Sequence, residues 1–239
     1  MSQPSSIPQL PLLHLTRPPQ AGSLGKPPLL LLLHGIGSNE RDLFSFADQL
    51  DPRLRVLSLR APLTLGPDSF GWFEVSFRPQ GNVANVEQLR DSREMLLQFI
   101  QEAVTAYDAN AERIYLLGFS QGAILSLTLA LTSPAVVAGV VAMSGRLPVE
   151  AFDAFGWSAS KDELTGLPIL VLHGTHDQVI RVQHAQNTRR LLEKLPVALT
   201  YHEFEMAHEV TPRSLALVLA WLTARLNEPR RPSQGEPIV

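Results

Sequence analysis

The sequence predicts a doubly wound α/β fold, a mostly parallel sheet with helices on both faces. Three observations carry that expectation. Short apolar runs alternate along the chain with longer segments of helical spacing. The run Leu29–Leu33 is apolar at every position, the pattern of a strand covered on both faces. The segment Gly118-Phe119-Ser120-Gln121-Gly122 lies between an apolar run, 114–117, and a helix-like run, 123–133. Strand, tight turn and helix in that order form the context that gives G-x-S-x-G a meaning.

The elements follow in order. Residues 1–9 are rich in Pro, Ser and Gln and read as a loose segment. One domain is expected over 10–226, and a loose Pro- and Arg-rich tail over 227–239. Within the domain, 10–16 reads as an edge strand, Leu29–Leu33 as a central strand, 41–50 as a short amphipathic helix and 54–59 as a strand. Residues 60–84 read as a long loop, punctuated by Pro62, Gly66, Pro67, Gly71, Pro79 and Gly81. Its embedded Phe70, Trp72, Phe73 and Phe77 mark it as ordered. A long helix is predicted over 85–107, because Val86, Leu89, Leu96, Phe99, Ile100 and Ala103 fall broadly on one face. The alternation then repeats: strand 113–117, helix Gln121–Thr132, strand 136–143, a loop, strand 168–173, helix 182–195, strand 199–205 and helix 212–226. Thr211 fits the N-cap of the last helix, and Pro212 its first position.

Composition excludes several function classes. A chain of 239 residues suffices for one large domain with a real core. Its 45% apolar and 18% charged content is that of a soluble globular protein. A net charge of −3 supplies no field to recruit nucleic acid or an anionic membrane. The absence of cysteine excludes disulfides, a Cys-ligated zinc and a thiol nucleophile, and accords with a cytoplasmic location. Stable membrane insertion is not expected, since Leu29–Leu33 is far shorter than the ~20 residues of a span. No Lys or Arg precedes Arg17, and Pro4, Pro8 and Pro11 interrupt any signal-peptide core. Nothing in the sequence selects between a monomer and a homodimer.

The chemistry begins at Ser120. A serine hydroxyl is a weak nucleophile by itself and needs a histidine base oriented by a carboxylate. After a nucleophile elbow these follow in the order Asp or Glu, then His. Asp177 qualifies as the carboxylate because the run 169–172 delivers it to the carboxyl edge of the sheet, where open α/β sheets build their sites. Asp153, Asp162 and Glu163 lie in a polar loop with no strand to position them. His208 follows the last strand and is the expected base. His34 and His173 each end a buried strand before a glycine and read as supports, while His202 and His184 lie on regular elements. His34-Gly35-Ile36-Gly37 ends the central strand with a turn able to aim amide donors at a developing oxyanion. The N–H groups of Ile36 and Gln121 are therefore expected to line an oxyanion hole. No phosphate-loop motif occurs. His173 and His176 lie on a turn without further ligands, so no metal is expected.

Together these residues resemble the phospholipase/carboxylesterase family of α/β-hydrolases, which includes acyl-protein thioesterases and small bacterial carboxylesterases. The resemblance spans about 10–226. It rests on Leu33-His34-Gly35-Ile36-Gly37, Arg60-Ala61-Pro62, Gly71-Trp72-Phe73, Gly118-Phe119-Ser120-Gln121-Gly122, Met143-Ser144-Gly145, His173-Gly174-Thr175-His176-Asp177 and His208-Glu209-Val210. It implies an α/β-hydrolase fold without a separate lid domain and a serine hydrolase without a cofactor. It gives Ser120, Asp177 and His208 the triad roles, and the amides of Ile36 and Gln121 the oxyanion hole. Arg146 and Val179 are expected substrate contacts; Trp72 and Phe73, aromatics of a long loop, either face the substrate or pin that loop to the core. Two departures stand out: Ala207 precedes the histidine where relatives usually have glycine, and Arg146 replaces a residue that is commonly apolar or aromatic. A cation there is expected to rim the pocket and favour polar or anionic substrates. The implied substrate is a small ester of short to medium acyl chain. Acyl-thioester and lysophospholipid hydrolysis would use the same groups. A hydrolase-fold binding or scaffold protein is the non-catalytic rival, and it has no need of three such groups in this order.

Overall fold

Leu29–Leu33 organises the molecule. In the computed structural model, which describes residues 8–20, 25–76, 83–156 and 159–229, all five leucines are at most 1% exposed. Leu29, Leu31 and Leu33 enter one hydrophobic cluster, and Leu30 and Leu32 enter the other. Alternate residues of a strand point to opposite faces, so one uninterrupted apolar run supplies two cores. Full burial of each leucine is worth roughly 1.5–3 kcal/mol.

The elements are β1 (His14–Arg17), β2 (Leu29–Leu33), a 3₁₀ helix (Leu43–Gln49), β3 (Arg55–Leu59), β4 (Leu63–Gly66), β5 (Ser69–Gly71), β6 (Val75–Ser76), β7 (Val83–Ala84) and α1 (Val86–Ala106). Then come β8 (Ile114–Phe119), α2 (Gln121–Thr132), β9 (Gly139–Met143), α3 (Val149–Phe155), α4 (Lys161–Leu164), β10 (Pro168–Gly174), α5 (Val182–Leu192), β11 (Ala198–Phe204) and α6 (Pro212–Asn227). A seven-stranded sheet runs β1-β3-β2-β8-β9-β10-β11. Its strands pair in parallel except β1, which lies antiparallel to β3. Residues of α1 and α2 join the cluster of Leu31, and residues of the 3₁₀ helix and α6 join that of Leu30. The sheet is thus covered on both faces, as the sequence predicts. Among the described residues no helix is long and apolar enough to cross a membrane.

Local chemistry accounts for most boundaries. Asn85 caps α1 by accepting the Gln88 N–H. Thr211 and Ser214 form a reciprocal box at the start of α6, with Pro212 in its first turn. Helix α2 is buried almost all round, and the hydroxyls of Ser126, Thr128 and Thr132 satisfy themselves on carbonyls four residues back.

Several elements differ from expectation. The segment 41–50 forms a 3₁₀ helix rather than an α-helix. Two short helices, α3 and α4, stand where the sequence predicts only a loop; Ser160 and Glu163 build a capping box for the second. The stretch 60–84 is not one long loop. It contains the antiparallel pair β4–β5 and the small pair β6–β7. β5 docks on the turn after β2: Gly37 N–H donates to Phe70 O at 2.8 Å, and Phe70 N–H to Ser38 O at 2.9 Å. Such pairing joins residues about thirty positions apart and leaves no local periodicity. Phe77, and the loose ends expected at 1–9 and 227–239 apart from residues 8, 9 and 227–229, lie outside the described residues.

Candidate active site

Parallel strands bring their carboxyl ends to one edge, and four loops meet there. They follow β2, β8, β10 and β11 and carry Ile36, Ser120, Asp177 and His208 respectively.

Ser120 sits between β8 and α2 at φ 53° and ψ −114°. A non-glycine residue in that region costs on the order of 1–3 kcal/mol and persists only where its surroundings force it. They do so here. A Cβ on Gly118 would stand 2.3 Å from the Gly122 carbonyl oxygen, and one on Gly122 would stand 2.0 Å from that of Leu33. The two glycines let helix and strand close on each other, and the serine is pushed outward at their junction. Its N–H is held by Met143 O at 2.8 Å.

Asp177 is buried, with both oxygens engaged. Oδ1 accepts the N–H groups of Val179 and Ile180, each at 2.9 Å. Oδ2 accepts from His208 Nδ1 at 2.7 Å. His208 Nε2 lies 3.0 Å from Ser120 Oγ. A carboxylate oxygen can only accept, so the proton is on Nδ1 and Nε2 is free to accept the serine hydroxyl. The Phe119 ring supports the imidazole with centroids 4.9 Å apart. The loop carrying His208 is pressed onto the loop carrying Asp177: a Cβ on Gly174 would strike the carbonyl oxygens of Met206 at 2.3 Å and Ala207 at 2.5 Å. Ala207 itself lies outside the left-handed region, so alanine is accommodated there without strain.

The turn after β2 is held by hydrogen bonds from three sides. His34 Nδ1 donates to Gly35 O at 2.7 Å, and its Nε2 accepts the Ala61 N–H at 3.0 Å. Burial lowers the His34 pKa, the largest influence, against smaller opposing contributions from the Gly35 carbonyl, Asp42 and Glu40. The ring is therefore neutral with a fixed tautomer. Gly35 O and Ile36 N–H belong to one planar peptide, so pinning the carbonyl aims the amide the opposite way. Gly37 N–H and Ser38 N–H take Phe70 O and Gly35 O. Among the described residues the N–H groups of Ile36 and Gln121 have no acceptor.

The expected substrate contacts divide. Val179 is 52% exposed beside Asp177, and Ile36 and Leu65 are exposed apolar side chains closing on Gly71. Leu65 carries no sequence signal of such a place, since it lies in a stretch that reads as loop. Of the two roles open to Trp72 and Phe73, their burial fits core packing: they are 0% and 1% exposed and belong to the core. Trp72 Nε1 donates to His34 O at 3.0 Å, and the Gln121 side chain accepts the Trp72 N–H at 2.7 Å and donates to Phe73 O. They bind the 70–73 segment to the elbow. Arg146 is engaged within its own segment. Helix α3 begins three residues beyond it and places Glu150 at i+4, where both terminal guanidinium nitrogens, Nη1 and Nη2, meet the carboxylate. Burial acts to raise the Glu150 pKa, but the hydrogen bonds and charge of Arg146 outweigh it and leave the carboxyl below its usual range. The guanidinium is thus paired with a carboxylate of its own segment. Among the described residues no group of three His, Cys, Asp or Glu side chains is arranged to hold a metal ion.

A mostly parallel sheet with a strained serine after a central strand, then aspartate and histidine at the same edge, defines an α/β-hydrolase. The chain matches the family described as Phospholipase/Carboxylesterase over residues 20–226, and it belongs to that family of hydrolases. It is 28% identical over 216 residues to the acyl-protein thioesterase 1 of Kluyveromyces lactis, covering 83% of this chain and 92% of the relative. Among solved structures it resembles a Bacillus cereus carboxylesterase, with a TM-score of 0.76, 24% identity, and coverage of 90% of this chain and 94% of the other. A carboxylesterase from Mesorhizobium loti gives a TM-score of 0.77 at 21% identity, covering 91% and 97%. At these identities the two structures establish the fold alone.

Proposed function

We propose that this protein is a serine carboxylic-ester hydrolase acting through an acyl-enzyme on Ser120, with His208 as base and Asp177 as its orienting carboxylate. One observation carries the reading: the unbroken hydrogen-bond path from Asp177 Oδ2 through His208 to Ser120 Oγ. His208 Nε2 takes the hydroxyl proton as Oγ attacks the acyl carbonyl. The new oxyanion accepts from the N–H groups of Ile36 and Gln121, and loss of one such donor typically costs about 10²–10³ in kcat. Asp177 stabilises the imidazolium. His208 returns the proton to the leaving alcohol or thiol, then activates the water that cleaves the acyl-enzyme. No cofactor enters this cycle.

The proposed substrates are small esters of short to medium acyl chain. Support comes from the apolar side chains of Ile36, Leu65 and Val179, which are surface features. A second reading, acyl-thioester hydrolysis, is favoured by the name of the Kluyveromyces lactis relative. The proposed compartment is the cytoplasm, on the composition of a chain without cysteine.

The test is turnover of p-nitrophenyl esters of increasing chain length beside matched acyl thioesters, with folded Ser120→Ala as control. A buried methylene is worth ~0.8 kcal/mol, so kcat/KM should rise over the first few carbons and then level. Ser120→Ala should lose on the order of 10⁴–10⁶ in turnover and all labelling by a fluorophosphonate. Wild-type-like turnover by that variant would overturn the mechanism. A continued rise to palmitoyl esters would overturn the chain-length assignment, and preference for the thioesters would select the second reading.

A further inference from the structure

His173 and Ser144 are two buried polar residues that the proposed reaction does not use. His173 is 0% exposed at the end of β10. Its Nε2 lies 2.6 Å from Ile180 O and 3.3 Å from Asp177 Oδ2. Both oxygens are acceptors, so Nε2 carries the proton. Burial is the largest influence on this ring and lowers its pKa, against the Ile180 carbonyl and Asp177, so it is neutral. Nδ1 is then a bare acceptor, buried and without a partner among the described residues.

Ser144 presents the complement. It is 0% exposed, and its Oγ is likewise buried without a partner among the described residues. Met143 of β9 pairs with Leu172 of β10, and Ser144 N–H donates to Leu172 O at 2.8 Å. The next residues along the two strands, Ser144 and His173, are therefore neighbours. Ser144 also holds φ 50°, a conformation glycine adopts at less cost. A hydroxyl can donate, and the bare Nδ1 can only accept.

We infer that His173, backed by the Ser144 hydroxyl at Nδ1, is a positioning residue for the Asp177 carboxylate. This rests on the proposed triad. The loop after β10 is gripped twice at one residue: Ile180 N–H donates to Asp177 Oδ1, and Ile180 O accepts from His173 Nε2. The same Nε2 lies 3.3 Å from Oδ2, the oxygen that orients His208, while its hydrogen bond goes to Ile180 O. His173 thus fixes the loop that bends around Asp177, and its ring stands against the outer oxygen of that carboxylate. Ser144 fixes the tautomer that lets His173 do so, by donating to Nδ1 through one bound water.

The test combines kinetics with imidazole ¹⁵N NMR on the full chain. His173→Leu removes the donor, and His173→Asn places its amide nitrogen near the Nδ1 position, out of reach of Ile180 O. In both, kcat should fall roughly 10- to 100-fold, the range seen when a supporting partner of a site ligand is lost, with KM within about 2-fold. His173→Gln, whose amide nitrogen reaches the Nε2 position, should recover most of that loss. Ser144→Ala and Ser144→Gly should both lower kcat, although glycine relieves the backbone strain. NMR of the wild type should show His173 as the neutral Nε2–H tautomer, with the Nδ1 resonance shifted by Ser144→Ala. Wild-type kcat in folded His173→Leu, a faster or unchanged Ser144→Gly, or an Nδ1–H tautomer would each overturn the inference, while the triad stands if Ser120→Ala is inactive. Turnover by Ser120→Ala would instead remove the triad, and this inference with it.

Discussion

The Cα of Gly122 lies so close to Leu33 that a Cβ there would stand 2.0 Å from the Leu33 carbonyl oxygen. The first turn of α2 is thereby seated on the end of β2. Since Ser120 precedes that turn and Ile36 follows that strand, the contact sets the distance between the proposed nucleophile and the proposed oxyanion turn. The residue type is dictated by space rather than by chemistry.

Gly122→Ala should therefore damage both stability and rate. The obstructing atoms are backbone and cannot swing aside, so the cost belongs at the upper end of the ~1–3 kcal/mol typical of overpacking. For a domain of this size that is a fall in Tm of roughly 6–12 °C. Gly156 is the control. It occupies φ +61°, and a Cβ there would meet nothing within 4 Å. Gly156→Ala should cost only the left-handed penalty of about 1–2 kcal/mol and leave kcat unchanged. Thermal melts and ester turnover of the two variants decide it; equal losses of kcat would show that the α2–β2 approach does not position the serine.

Among the histidines, only His208 should carry turnover as the base. His176 adjoins Asp177 in sequence but is exposed, and its backbone N–H is tied to Met206 O. His202 is exposed on β11, with its ring 6.4 Å from that of Phe204. His208→Gln should lose on the order of 10⁴–10⁶ in kcat, while His176→Gln and His202→Gln stay within about 3-fold of wild type. The measurement is kcat on one activated ester in proteins of matched circular dichroism. Retained activity in His208→Gln, with loss in either of the others, would reverse the assignment.

The parts of this site legible in the sequence are those written in contiguous residues. The glycines of the elbow are near neighbours of Ser120, and the apolar strands before Ile36 and Asp177 announce the sheet edge. Chain order then singles out Asp177 and His208. What the sequence hides is mutual support between distant segments. Nothing near Gln121 indicates that its side chain ties down Trp72 and Phe73, some fifty positions earlier. Aromatics in a long segment suggest ligand contact and core packing equally; the pairing of Phe70 with Ser38 decides for packing in the neighbouring Trp72 and Phe73. Arg146 looks like a free cation until α3, which has no strong local signal, brings Glu150 within reach. His34 and His173 read as supports from their place at strand ends, but which atoms they hold depends on loops that fold back from residues 61 and 180.

Buried neutral histidines also give the fold a defined acid sensitivity. His14, His34 and His173 are all buried, and burial, the largest influence on each, lowers the pKa from the usual 6.5. In the unfolded chain each titrates near its ordinary value. Below about pH 6.5 the unfolded state therefore binds protons that the folded state does not, and stability must fall with pH. The full contribution is present above 6.5 and is lost as pH drops toward the depressed folded values, at up to about 1.4 kcal/mol per pH unit for each group. Glu40 acts in a separate window. Hydrogen bonds from Arg60, its largest influence, lower its pKa from 4.5, so its contribution is lost only below that value. Urea unfolding at pH 7.5, 6.5, 5.5 and 5.0 should show free energy falling between the second and last points, before the carboxylates titrate. His34→Gln should flatten that decline while lowering stability at pH 7.5, because Ala61 N–H and Gly35 O would lose well-placed partners. A flat profile from 7.5 to 5.0 would mean that these rings are not held neutral, and an unchanged slope in that variant would mean that His34 is not.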